Sequence, residues 1–154
     1  MAKTKSPTQR FLERAMEAEK EIKRLRDREK RYREMAEGLG GGTGGVGGHG
    51  GGARSRLEEA VAELDELREY VAKRVKELAQ EIMEVESVIE GVKTERYREV
   101  LERRYLHDEM WLRVSKEMGY QDEKSVYRVH GWAIKEAEKV LKEKRATKNN
   151  TMQS

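Results

Sequence analysis

Apolar residues recur three and four positions apart through most of this chain, the period of helices that bury one face. Ala15, Ala18, Ile22, Leu25, Tyr32 and Ala36 form one narrow stripe on a background of Arg, Lys and Glu, interrupted by Glu29. Leu57, Val61, Leu64, Leu67, Val71, Val75, Leu78, Ile82, Val85, Ile89 and Val92 carry the same rhythm over most of five heptads, the repeat of a coiled coil. At 1.5 Å per residue, a helix from Ser55 to Val88 would be roughly 50 Å long. Between the stripes lies GLGGGTGGVGGHGGG, residues 38–52, in which 11 of 15 residues are glycine, a backbone too free to hold a regular element. This flexible linker is long enough to let the helices fold back antiparallel. The same stripes could equally seal a homodimer.

The pattern then shortens. Gly91 ends the long helix, and Thr94 is placed to cap TERYREVLERRYL, whose apolar face holds Tyr97, Val100, Leu101 and Tyr105. After it, MWLRVSKEMGY and KSVYRVHGWAIKEAEKVL have the spacing of a helix-turn-helix. Two crossing helices need a small residue at the crossing, a tight turn and an apolar anchor on the second helix, and Ser115, Gly119 and Val126 fill these roles. Val114 and Met118 supply the buried face of the first motif helix, and Val126, Val129 and Ala133 that of the second. Asp108 and Asp122 read as the two N-caps. If the second helix begins after Asp122, then Glu123, Lys124, Ser125, Tyr127 and Arg128 occupy its first turns, where a recognition helix meets base edges. Beyond Lys142 the apolar period is lost and a disordered tail is expected.

The expected fold is all-α: a long antiparallel helical hairpin followed by a three-helix domain. The segments are a charged helix over 1–37, the linker over 38–52, the coiled-coil helix over 53–92, the helix-turn-helix domain over 93–142 and the tail over 143–154.

Charge refines this picture by its distribution more than by its total of +3. Residues 1–37 carry 12 basic and 8 acidic side chains, 53–92 carry 6 and 11, and 93–154 carry 15 and 11. An acidic helix between two basic segments suggests helix pairing at one end and phosphate contact at the other. Composition also narrows the chemistry. With no cysteine and with His49, His107 and His130 scattered, no zinc ligand set exists. The glycine repeats are not followed by the Lys-Ser or Lys-Thr of a phosphate loop. Carboxylates alternate with Lys and Arg as surface pairs and gather no nucleophile, so no enzymatic activity, metal or cofactor is expected. No apolar run is long enough to span a bilayer, and MAKTKSPTQRF lacks the apolar stretch of a signal peptide, which points to the cytoplasm and away from any membrane. Without secretion, the acceptor-like Asn149-Asn150-Thr151 has no chemistry to do.

RYREVLERRYLHDEMWLRVSKEMGY followed by VYRVHGWAIKEAEKVL resembles region 4 of the sigma-70 family and, more closely, small phage and prophage proteins of the ArpU/RinA type of transcriptional regulator. The residues that carry the likeness are Arg104, Tyr105, Leu106 and Trp111, then Val126, Tyr127, Arg128, His130 and Gly131. It covers about residues 94–141. The resemblance implies sequence-specific binding of double-stranded DNA and contact with bacterial RNA polymerase. Glu123, Lys124, Ser125 and Arg128 would then face bases, Arg113 and Lys116 would hold phosphates, and Tyr127 and Lys135 complete the DNA-binding set. His130 and Trp132 are assigned to packing or backbone contact. The turn Gly119-Tyr120-Gln121 is one residue longer than in sigma factors, and Ser125 stands where those proteins often place an arginine, so base preference should differ. With no aromatic-rich segment to capture a melted strand, an activator on duplex DNA fits better than a complete sigma factor. A DNA-packaging protein like a small terminase subunit, or a coiled-coil assembly adaptor, is the alternative.

Overall fold

The computed structural model describes residues 4–40 and 50–153 and is all-α, with no strand among them. Its helices are α1 (Pro7–Gly40), α2 (Gly50–Glu90), α3 (Glu95–Leu101), α4 (Trp111–Glu117) and α5 (Glu123–Gln153). No helix among the described residues is long and apolar enough to cross a membrane.

The chain divides into two compact units, one of residues Glu19–Ala79 and one that joins the residues up to Ala18 with those from Gln80 onward. In the first, α1 and α2 pair within the one chain. Arg74 contacts Glu21 at 2.9 Å and Arg68 contacts Glu29 at 3.7 Å, so residue numbers rise along one helix as they fall along the other, which is the antiparallel arrangement. Leu25, Ala36, Leu64, Leu67, Val71 and Leu78 are buried on the shared stripe, whereas Val61 faces out. Glu29, the polar interruption, is only half-buried and meets a cation instead of a second apolar side chain.

The helices run further than glycine content suggests. Residues 38–40 and 50–52, read above as linker, are helical. Elongation of an existing helix is far easier than its nucleation, so a packed stripe can carry its ladder into glycines at about 1 kcal/mol each. Residues 41–49, His49 included, lie outside the described residues. The tail expected after Lys142 is likewise helical to Gln153. Its side chains from Glu143 to Met152 are exposed, so the ladder continues on intrinsic propensity, with Thr147 and Thr151 hydroxyls donating to the carbonyls of Glu143 and Thr147.

The second unit has a core of interlocking elements. Phe11, Leu12 and Ala15 of α1 pack with Val85, Val88 and Ile89 of α2, with Val92 of the corner that follows it, with Leu101 and Tyr105, and with Ala133, Ile134, Ala137 and Leu141 of α5. A compact domain beginning at residue 93 is therefore too short: the end of α2 and the first turns of α1 belong to it. A second cluster of Val100, Val114, Val126 and Val129 joins α3 and α4 to α5. At the α2–α3 corner, Thr94 is the N-cap residue but makes no side-chain cap. Glu136 Oε1 on α5 accepts the backbone N–H groups of Lys93 and Thr94 there, both at 3.2 Å. Gly91 lets α5 approach, since a Cβ on it would lie 2.6 Å from Val140 Cγ1.

Candidate nucleic-acid interface

α3 runs into one π-helical turn, Glu102–Leu106, closed by His107 N–H donating to Glu102 O at 3.0 Å. The chain then turns left-handed at Asp108, φ 50°, a conformation that a short polar side chain tolerates better than most. This corrects the cap assignment: Met110 precedes α4, and Asp108 caps nothing. The corner is held instead by Arg103 across Glu99 (3.1 Å) and Glu109 (3.3 Å), and by Arg104, which donates to Glu109 O at 3.0 Å. These ion pairs line a surface cleft of about 660 Å³ between Glu95 and Glu109, where arginines answer the carboxylates.

The turn between α4 and α5 is built as the spacing demanded. Tyr120 N–H donates to Ser115 O (2.8 Å) and Gly119 N–H to Lys116 O (3.2 Å), the paired bonds of a Schellman motif, with Gly119 at φ 77° where a side chain would be strained. Ser115, buried beside Val114, does more than stay small. Its hydroxyl lies 3.3 Å from Tyr120 O and 3.1 Å from Asp122 O and stitches the turn to its own helix. Asp122 caps α5: its Oδ1 accepts from both the N–H and the hydroxyl of Ser125 at 2.9 Å. Those two bonds, backbone first, hold the carboxyl below its usual range.

Behind the motif sits an aromatic seam. The Tyr105 hydroxyl and His130 Nε2 share a hydrogen bond of 2.6 Å, and the Trp111 ring meets His130 edge-on at 4.6 Å and Tyr127 at 5.4 Å. The Arg104 guanidinium lies 4.9 Å from the Trp111 ring centre. Burial, aided by Arg104, pushes the His130 pKa down to about 4, so the ring is neutral at pH 7. Burial likewise raises that of Tyr105. His130 is thus a packing residue, as assigned, whereas Trp132 is 43% exposed beside Tyr97.

The candidate DNA-binding residues separate into groups. Lys124, Arg128 and Lys135 lie exposed on the face of α5 turned away from Val126, Val129 and Ala133. Arg113 and Lys116, three residues apart, are exposed on α4. Ser125 is half-buried and committed to the cap, so it is not free to face a base as expected. Glu123 and Tyr127 engage each other, the phenol donating to the carboxylate at 2.9 Å, although 46% of Tyr127 remains exposed. Sequence reasoning missed Phe11 and Leu12, which anchor α1 in the core beneath this motif. Phe11, the one phenylalanine of the chain, was the available signal. Two distal cations of α5 leave the outer face: Arg145 sits 6.0 Å from the Phe11 ring, and Lys144 donates to Ser87 Oγ at 2.8 Å. Comparison with family models, with curated proteins and with solved structures found no match for the chain.

Proposed function

We propose that the chain is a sequence-specific, duplex-DNA-binding transcriptional regulator of the phage type, which places the first turns of α5 in a major groove and meets bacterial RNA polymerase. The observation that supports this reading best is local. A capped, glycine-turned corner leads into a helix whose solvent face presents Lys124, Arg128 and Lys135 while its other face is fixed in the core. Arg113 and Lys116 on α4 offer phosphate contacts, which set register without reading sequence.

The test is selection of bound duplexes from a random pool, then titration of the winner against salt. An enriched motif with a steep salt slope is expected. At that site Arg128→Ala should weaken binding by about 1 to 3 kcal/mol if the guanidinium makes a bidentate base contact. Recovery of no motif, with binding lost at moderate salt, would overturn the reading and leave a basic helical adaptor.

A further inference from the structure

Three glycines lie outside the glycine-rich segment, and the fold requires two of them. Gly91 admits Val140, and Gly119 turns the chain left-handed. Gly131 has neither reason. It lies well inside α5, it is exposed, and a Cβ built on it would meet nothing within 4 Å. Glycine is the poorest residue in a helix interior after proline, so stability alone favours another residue at this position.

What surrounds it suggests why it is there. Lys124, Arg128, Gly131, Lys135, Lys139 and Lys142 follow one another at steps of three or four and therefore share one exposed face of the helix. Lys142 is paired with Glu138 at 3.1 Å, but among the described residues no ion pair holds the other four cations. They span about 22 Å of helix, and the gap between Arg128 and Lys135, centred on Gly131, is about 10 Å along the axis. Trp132 flanks the gap with a half-exposed ring. A cationic rim around a bare stretch of backbone suits a polyanionic strand better than an apolar protein face.

We propose that the duplex lies along α5 beyond its first turns and comes closest to the helix backbone at Gly131. There the missing side chain admits a sugar-phosphate strand, and Arg128 on one side and Lys135 and Lys139 on the other bind its phosphates. This rests on the DNA-binding reading above and carries the footprint from Arg128 to Lys139, about three helical turns.

The experiment measures thermal unfolding and affinity for the selected duplex on the full chain, for wild type, Gly131→Ala and Gly131→Leu. Gly38→Ala is the control, because that glycine also faces open space in a helix but lies in the other unit. Gly131→Ala should melt no lower than wild type yet bind about tenfold more weakly, the cost of a misfitting methyl at a close contact. Gly131→Leu should lose more, and Gly38→Ala nothing. Lys135→Ala and Lys139→Ala should each reduce the salt slope by about 1. If both Gly131 variants bind as wild type does, the close approach is refuted while the DNA reading stands. If the wild-type chain binds no duplex even at low salt, that reading falls, and this one with it.

Discussion

Among the described residues, α1 and α2 bury six apolar side chains along one seam between Glu19 and Ala79, while the unit that carries the turn motif buries eighteen drawn from all five helices. The seam is a line between two helices, flanked by the half-buried Arg74, which holds Glu21 in a bidentate pair at 2.9 and 3.1 Å, and by looser pairs such as Arg68 with Glu29 at 3.7 Å that add little. The other core closes in three dimensions. Leu12 there belongs to one cluster with side chains of α2 and α5 as well as of its own helix. The lesson is that equal hydrophobic periodicity does not mean equal cohesion. What matters is how many elements converge on a residue.

The comparison can be broken most directly by truncating one leucine in each unit. Leu12→Ala should cost about 3 to 4 kcal/mol, since the side chain is fully buried and its neighbours cannot all collapse into the space. Leu67→Ala in the seam should cost about 2 kcal/mol, because the helices can draw together or admit water. Chemical denaturation of both variants measures this, and equal losses would contradict the distinction. A pH series should sharpen it. His130 is held neutral with a pKa near 4 against an ordinary 6.5, so its contribution is complete above pH 6.5 and declines as pH falls through the window to about 4. Below that it is gone. The integrated loss is at most about 3 kcal/mol, and it should fall on the unit containing His130. The double replacement His130→Leu with Tyr105→Phe should flatten the profile in that window. The smallest effect is expected at Tyr120, whose buried hydroxyl has no hydrogen-bond partner among the described residues. Tyr120→Phe should change stability by no more than about 1 kcal/mol, in the stabilising direction.

Local chemistry was legible in the sequence to the extent that it is set by adjacent residues. The stripes of α1 and α2, the Gly119 turn, the small Ser115 and the Asp122 cap all rest on contacts within about one helical turn or on strict periodicity. What escaped involves competition or distance. Asp108 has the side chain of a cap, but a π-helical turn delivers the chain to it in the wrong conformation. Ser125 has the position expected of a base contact, but its hydroxyl donates to Asp122 Oδ1 at 2.9 Å and is spent on the cap. Phe11 and Leu12 precede a charged stripe and look like its frayed start. Their partners, Val85 through Leu141, lie some 70 or more positions away. No window on the sequence reaches that far.

That separation bears on how the chain is assembled. The first turns of α1 are made well before their partners and must wait for them, a non-local closure that is intrinsically slow. The hairpin of residues 19–79 is the shortcut. Once α1 and α2 pair, contacts such as Arg74 with Glu21 close most of the loop and the long search shrinks to a short one. In this view the seam need not be strong, since its service to the rest of the molecule is to have formed first.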